Sequence, residues 1–232
     1  MPEAPINSKA WWDAYFANKW EANQGAAQTR YFMSRLIDEL PEPEKHYLRS
    51  RPARVLDWGC AFGEGAAFFA EHFDLCEVAG LDFSPEAIRE ARRRHPHLSF
   101  LLTEQGEIPE SFDVILTSNC LEHFDDPFRL VEEHLQSCRD FYVALTPYRE
   151  KPLFIQHRHS FSKSSFPLSI GSFRRIHCAI LDMDPAHWPG RQILAIYGSP
   201  AYCESRASFL DPDGEARGGP VWRDILLAGR NQ

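Results

Sequence analysis

The sequence has no apolar run that approaches the length of a membrane-spanning helix. Its first residues, MPEAPINSKAWWDAYF, lack a basic segment followed by an apolar one, so we expect no signal peptide. The six cysteines are scattered, and no C-x-x-C pair indicates a zinc knuckle. Together these absences predict a cytoplasmic protein with reduced thiols and no membrane partner.

Positive charge is also scarce. Lysine and arginine total 25 against 33 aspartates and glutamates, which gives a formal net charge of −8. A surface of that sign repels a phosphate backbone, so we expect no nucleic-acid partner. In contrast, 44% of the 232 residues are hydrophobic and 13% are aromatic, enough to form the core of one elaborated domain.

Short apolar runs alternate with helical patterns through the middle of the chain. We predict strands at residues 54–58, 77–82, 98–103, 112–118 and 140–147. Strands and helices that alternate at this spacing indicate a parallel sheet with right-handed crossovers. Two later runs, 173–184 and 192–199, have only a short connection and predict an antiparallel pair at one edge.

The predicted fold is therefore α/β: a Rossmann-like, doubly wound, mostly parallel seven-stranded sheet with an antiparallel edge strand and an N-terminal helical cap. Helical spacing over residues 8–40 is interrupted at Gly25, and the prolines and charges of 41–52 predict a linker. We expect three parts, which are a cap or lid at 1–50, a core at 51–200, and a C-terminal extension at 201–232 that packs on the core. We assign no position in the fold to the apolar run at 221–228.

Asp57 lies next to the last residue of the first predicted strand, and a glycine-rich turn, GCAFGEG, leads directly into a helix. This layout holds adenosyl cofactors, because glycines let the backbone approach the ligand at a switch point of the sheet. A dinucleotide fingerprint needs G-x-G-x-x-G, but Ala61 and Glu64 stand at two of its glycine positions. The P-loop pattern is absent as well.

Several ordered motifs resemble those of class I S-adenosylmethionine-dependent methyltransferases. VLDWGCAFGEG resembles the first motif, GLDFSPEAI at 80–88 resembles the second, and LLTEQGEIPESFDVILTSNCLEHFDDP at 101–127 resembles the third and fourth. The resemblance covers roughly residues 54–147. It implies S-adenosyl-L-methionine as cofactor and methyl transfer as the activity.

The resemblance also implies where the cofactor binds. Asp57 and the backbone of Gly59, Cys60, Ala61 and Gly63 would face the methionine portion. Asp82 would accept both ribose hydroxyls, as a carboxylate does bidentately, and Phe83 would lie on the adenine. The remaining expected contacts are Glu104 and Gln105 at the adenine edge, and Asn119, Cys120 and Leu121 after the fourth strand.

An oxygen acceptor needs a group that takes its proton, and four residues are candidates. His123 follows the fourth strand, although it is equally explained as a residue that packs or positions the cofactor. His157 and His159 lie in a loop where similar methyltransferases carry Glu-His-x-x-x-Phe, and here the acid before the histidine is missing. Tyr148 stands in the turn after the fifth strand.

Three further hypotheses concern the surroundings of the cofactor. Trp12, Tyr15 and Phe16 predict an aromatic lid over a flat or sugar-like acceptor, or else plain core. Arg30 is a candidate partner of the cofactor carboxylate. The acidic turn after strand four (Glu122, His123, Asp125, Asp126) has hard ligands, but Asp126-Pro127 is typical of a helix N-cap, so no metal is predicted.

The leading hypothesis is O-methylation of a small molecule or a glycan sugar, with a homodimer left open. An amine or amino-sugar N-methyltransferase would look much the same. A nicotinamide-dependent oxidoreductase shares the strand and glycine layout, and a non-catalytic cofactor-binding protein could keep the fold without the chemistry.

Overall fold

The computed structural model describes residues 4–104 and 107–209. The predicted N-terminal cap contains α1 (Lys9–Asn18) and α2 (Gly25–Glu39). Ser8 caps α1, since its side chain accepts a hydrogen bond from the Trp11 amide. The interruption between the two helices lies before Gly25, which is the first residue of α2. Glycine is needed at this position because the Trp20 ring lies where a Cβ would be.

The linker expected at 41–52 is wrong, because the chain there forms a third helix, α3 (Glu42–Ser50). Its prolines are compatible with helix because they stand at the N-cap and in the first turn, where a missing amide donor costs nothing. Tyr47 and Leu48 are buried against the core. Glu44 is fully buried and accepts hydrogen bonds from Tyr202 at 2.9 Å and Arg206 at 2.6 Å.

The strands form one mixed sheet in the order β3-β2-β1-β4-β5-β8-β7-β6. The first five are parallel to one another, and β8, β7 and β6 join by antiparallel pairing. The predicted α/β fold is confirmed, and the described residues add an eighth strand of only two residues. The strands are β1 (Ala53–Trp58), β2 (Cys76–Asp82), β3 (Ser99–Leu102), β4 (Phe112–Ser118), β5 (Cys138–Tyr148), β6 (Ser169–Ile170), β7 (Phe173–Asp182) and β8 (Arg191–Gly198).

Helices cover both faces of this sheet. Val55 and Val114 point to a core cluster that includes α2 and α4, whereas their neighbours Leu56 and Ile115 point to a cluster on the α6 side. That alternation is the two-residue period of a strand buried on both faces. The helices are α4 (Glu64–His72), α5 (Pro85–Arg94), α6 (Pro127–Leu135) and α7 (Pro200–Phe209).

Two cap predictions agree with the helix starts. The Ser84 hydroxyl accepts from the Ala87 amide at the start of α5, and the Asp126 carboxylate accepts from the Arg129 amide at the start of α6. Within the described residues, no helix is both long enough and apolar enough to cross a membrane. Residues 210–232, which hold most of the predicted extension and the run 221–228, lie outside the described residues.

Candidate active site

The turn between β1 and α4 can be built only with glycine at two positions. Gly59 has φ +78°, and a Cβ there would lie 2.3 Å from the Cys120 sulfur. Gly63 has φ +85°, and a Cβ there would lie 2.7 Å from the Phe100 ring. The amides of Gly59 and Cys60 both donate to the Leu81 carbonyl, so the turn is held against the end of β2. Its backbone is thereby fixed close to the space that a ligand would fill.

Asp82 ends β2 beside this turn. One carboxylate oxygen accepts from the Ser84 amide at 2.9 Å, and the other accepts from the Ala61 amide at 3.1 Å. Burial raises the pKa of Asp82 to about 6, although the backbone hydrogen bonds oppose that rise. Each oxygen keeps acceptor capacity beyond its one backbone bond, so the carboxylate is held ready for two hydroxyl donors.

Asp57 lies deeper than the sequence motif suggests. Its carboxyl accepts from the Ala66 amide in α4, and a Cβ at Gly65 would lie 3.0 Å from it. Burial, followed by the charge of Asp82, raises the pKa of Asp57 to about 7. The carboxyl thus anchors the first turn of α4 and is not part of the cavity wall.

A cavity of about 770 Å³ opens where the carboxyl ends of β1, β2 and β4 meet. This is the switch point of the sheet, since neighbouring connections leave there in opposite directions. Its volume suits a cofactor together with part of an acceptor. The predicted site residues that line it are Trp12, Tyr15, Phe16, Gly59, Ala61, Asp82, Phe83, Asn119, Cys120, His123 and His157.

The turn after β4, Leu121–His123, brings an acid and an imidazole to the other end of the cavity. Glu122 is fully buried, and within the described residues neither of its carboxylate oxygens has a hydrogen-bond partner. Burial raises the pKa of Glu122 to about 8 and lowers the pKa of His123 to about 3. The His123 imidazole is therefore neutral, and its Nδ1 lies 3.1 Å from the Gln156 carbonyl oxygen.

His157 reaches the same place from the loop after β5. Its Nδ1 lies 2.5 Å from a carboxylate oxygen of Glu150, and both side chains are nearly inaccessible to solvent. One potential ligand atom from each of Glu122, His123 and His157 lies within 4.8 Å of the others. The structure thus brings together His123 and His157, which the sequence suggested separately, and it places Glu122 beside them.

The N-terminal aromatic side chains cover this cavity. The Trp12 ring meets the His123 ring edge to face, with centroids 4.9 Å apart. Phe16 packs on Phe62 in the glycine-rich turn at 5.6 Å, and Trp20 packs on the same ring at 5.8 Å. Helix α1 therefore lies across both the turn and the histidines.

Comparison with known proteins agrees with this architecture. The methyltransferase domain family matches residues 56–140. Trans-aconitate 2-methyltransferase from Deinococcus radiodurans is 37% identical over 101 residues, which are 40% of this chain and 36% of that protein. Phthiotriol/phenolphthiotriol dimycocerosates methyltransferase from Mycobacterium leprae is 33% identical over 79 residues, 31% of this chain and 29% of that protein.

Residues 56–140, the part of the chain that the family model matches, therefore resemble a methyltransferase domain. Among solved structures, magnesium protoporphyrin IX methyltransferase from Synechocystis PCC 6803 with bound S-adenosylhomocysteine aligns with a TM-score of 0.65. It is 12% identical and covers 83% of this chain and all of that one, which shows the shared fold. The chain spans only about a third of the length of the curated relatives it matches.

Some predicted site residues lie away from the cavity wall. His159 contacts the Asp125 carbonyl at 3.1 Å and borders a smaller space of about 280 Å³. The Tyr148 ring lies under the Arg191 guanidinium at 4.9 Å. Gln105 lies outside the described residues. The others off the wall are Asp57, Cys60, Gly63, Glu104 and Leu121.

Arg30 was expected to bind the carboxylate of the cofactor, but it does not line the cavity. Its guanidinium donates to Glu71 at 2.7 Å and stacks over the Phe68 ring at 4.4 Å, on the outer side of α2. The polar neighbours Gln28 and Thr29 face the cavity instead. One face of a helix points inward, so three consecutive residues cannot all reach one ligand.

Three residues that line the cavity or contact its wall were not predicted from the sequence: Glu150, Asn7 and Trp188. The acid expected directly before His157 is replaced by Glu150, seven residues upstream, which only the folded loop reveals. Asn7 donates from its amide to the carbonyls of His123 at 3.0 Å and Gln156 at 2.7 Å. Trp188 lines the far wall. The short spacing from Glu150 to His157 was the one available signal for the acid.

Proposed function

We propose that this protein transfers a methyl group from S-adenosylmethionine to an oxygen of a small molecule, with a sugar hydroxyl the leading candidate. One observation carries the proposal. The wall formed by Gly59 and Asp82 and the cluster of His123 and His157 face the same cavity. The donor side and the groups able to assist an acceptor therefore share one space, as group transfer requires.

The residues present fit the cofactor. S-adenosylmethionine supplies a reactive sulfonium methyl group, and the protein binds and orients it. The Asp82 carboxylate would accept the ribose hydroxyls, and Phe83 would lie against the adenine. Asn119 has a buried amide oxygen that lines the cavity and has no hydrogen-bond partner within residues 4–104 and 107–209, so it is available to a ligand donor.

The opposite end fits an acceptor that must lose a proton. A hydroxyl attacks poorly until a neighbouring group weakens its hold on the proton. The neutral imidazole of His123, the Glu150-bound imidazole of His157 and the carboxyl of Glu122 lie together there. The Trp12 ring beside His123 offers an apolar face on which a sugar or flat ring would stack.

The names of the relatives point to dissimilar acceptors: an organic acid, a lipid and a magnesium porphyrin. The acceptor must therefore be inferred from the residues that line this chain's own cavity. Those residues are aromatic on one side and include the two histidines on the other. We also propose the cap, core and extension as its domains, a cytoplasmic location, and a small-molecule or glycan partner.

Isothermal titration calorimetry with S-adenosylhomocysteine tests the donor half of the proposal. We expect one-to-one binding to the wild type, a Kd at least tenfold weaker in Asp82→Asn, and no change in Asp74→Asn, whose side chain is exposed. NAD should give no heat. Absence of binding to folded wild-type protein, or tighter binding of NAD, would refute the proposal.

A labelled-methyl assay over sugars, phenols and amino sugars tests the acceptor half. N-methylation of an amine is the second candidate, because the buried carboxyl of Glu122 has no partner among the described residues and could accept a hydrogen bond from an amine N–H. If only amines are methylated, the second candidate replaces the first.

A further inference from the structure

Glu122, His123 and His157 form a cluster whose chemistry the cofactor does not use. The first two come from the turn after β4 and the third from the loop after β5. Potential ligand atoms of the three lie within 4.8 Å of one another, and all three side chains line the cavity. A set of this size can close around one ion, since metal ligands about 2.1 Å from a common centre lie roughly 3 to 4 Å apart.

The carboxylate of Glu122 is the independent observation that points to a ligand. The residue is 0% exposed, and no partner for either oxygen exists among the described residues. A buried carboxyl without a hydrogen-bond partner is costly in either protonation state, and such groups in native proteins are paired with another polar group or coordinate a metal. A ligand on the cavity side would supply that partner.

Both histidines already have their Nδ1 atoms engaged. Nδ1 of His123 lies 3.1 Å from the Gln156 carbonyl oxygen, which fixes the proton on that nitrogen. Nδ1 of His157 lies 2.5 Å from the Glu150 carboxylate. The lone pair of His157 is thus on Nε2, and the second nitrogen of the His123 ring lies near the backbone of Asn119, so a metal would compete with that contact. Metal-bound histidines almost always donate their other nitrogen to a carbonyl or a carboxylate in this way.

Neighbouring bonds hold the two segments in fixed relation. The Arg158 amide donates to the Glu122 carbonyl at 2.7 Å, and the Asn7 amide bridges the carbonyls of His123 and Gln156. These bonds join the turn, the loop and the N-terminal segment around the cluster. A preformed ligand set of this kind binds a metal without further ordering.

We propose that Glu122, His123 and His157 bind a divalent first-row transition-metal ion at the acceptor end of the cavity. Two imidazoles and one carboxylate favour Zn²⁺, Fe²⁺ or Mn²⁺ over Mg²⁺ and Ca²⁺, which prefer oxygen ligands. Three protein ligands leave positions open on the cavity side for a small molecule. Any role of the ion in turnover rests on the proposed function, because the ion would then supply positive charge beside the acceptor oxygen. Binding of the ion does not depend on the proposed function.

Cobalt is the probe, because Co²⁺ in a nitrogen and oxygen site gives visible absorption bands. We titrate metal-free, tag-free protein with Co²⁺ and then displace it with Zn²⁺ in a calorimeter. We expect one ion per chain in the wild type. Glu122→Gln and His157→Asn should each weaken binding at least 100-fold, since even loss of an outer hydrogen-bond partner costs 10- to 100-fold. The matched control His97→Asn, on the exposed surface, should bind as the wild type does.

Circular dichroism and S-adenosylhomocysteine affinity check that each variant is folded. Absence of cobalt bands in the wild type, or unchanged affinity in Glu122→Gln, would overturn the metal site. Loss of S-adenosylhomocysteine binding in Glu122→Gln with no metal bound to the wild type would instead assign the carboxylate to the cofactor. If cobalt binds but S-adenosylhomocysteine does not, the proposed function fails and the metal site stands.

Discussion

The carboxylate of Glu150 lies 2.5 Å from Nδ1 of His157, and both side chains are almost completely shielded from solvent. This contact fixes the plane of the imidazole and the nitrogen that carries its proton. Whether His157 takes a proton directly or binds an ion, the ring must present Nε2 to the cavity. Glu150 is therefore a positioning residue, and its removal should change catalysis more than ligand binding.

Replacement of Glu150 by glutamine tests that role. We expect kcat to fall about 10- to 100-fold with the acceptor that supports turnover, because an amide holds the ring less firmly. The Kd for S-adenosylhomocysteine should stay within twofold. Glu132→Gln on the exposed face of α6 is the control and should match the wild type. An unchanged kcat in Glu150→Gln would show that the contact has no part in the reaction.

Gly59 should tolerate no side chain. Gly59→Ala adds a Cβ 2.3 Å from the Cys120 sulfur at a backbone φ of +78°, so we expect a loss of about 1–3 kcal/mol in the free energy of unfolding. Urea denaturation measures it. Gly171→Ala is the control for backbone strain alone, since φ is +55° and nothing lies within 4 Å.

A double variant separates the two causes at Gly59. Cys120→Ala removes the sulfur that the new Cβ would meet, so Gly59→Ala should cost less in that background. The remaining loss should approach that of Gly171→Ala. Equal losses in both backgrounds would show that backbone conformation, and not the contact with Cys120, excludes alanine.

Asp82 predicts a pH dependence of cofactor binding. Its pKa of about 6 means that the carboxylate becomes protonated below that pH and loses acceptor capacity for the ribose hydroxyls. We expect the Kd for S-adenosylhomocysteine to rise about tenfold from pH 7 to pH 5, as measured by calorimetry. In Asp82→Asn, binding should be weaker and nearly flat over that range.

Asp82 also affects folding stability, but this contribution falls with rising pH, whereas cofactor binding should strengthen with rising pH. Because the folded pKa exceeds the ordinary value of 3.8, the stabilising contribution of Asp82 is full below pH 3.8 and is lost as pH rises through about 6. Thermal unfolding of ligand-free wild type and Asp82→Asn over that range measures it. Asp57→Asn identifies the separate titration near pH 7. A difference between wild type and Asp82→Asn that stays constant with pH would contradict the shift.

We expect Trp12 to affect binding of the acceptor and not binding of the cofactor. Trp12→Ala removes a ring that contacts His123, so we expect the acceptor KM to rise at least fivefold through lost stacking. Trp12→Phe keeps an aromatic face and should recover most of the affinity. Steady-state kinetics measure both variants. A weakened S-adenosylhomocysteine Kd with an unchanged acceptor KM would assign Trp12 to the cofactor instead.

The parallel strands and the glycine-rich turn were predictable from sequence, because local patterns determine them. Asp57 lies one residue before the end of β1 and Asp82 ends the neighbouring β2, and the parallel sheet brings such ends to one edge. The linker prediction at 41–52 failed because prolines mark both loops and helix starts, and only the burial of Tyr47 and Leu48 separates the two.

The acceptor end was less predictable, because it depends on contacts between distant segments. His123 and His157 were both candidates, but no sequence pattern distinguishes His157 from His159 two residues later. Only the loop conformation turns His157 to Glu150 and sends His159 to the Asp125 carbonyl. Glu122 was visible in the acidic turn, yet its lack of a partner is a property of the folded interior.

The Asn7 side chain bonds two carbonyls that belong to separate parts of the acceptor wall. The segment ahead of α1 is therefore tied both to the turn after β4 and to the loop after β5. Asn7→Ala removes both hydrogen bonds, so we expect the three segments to hold this wall of the cavity less rigidly.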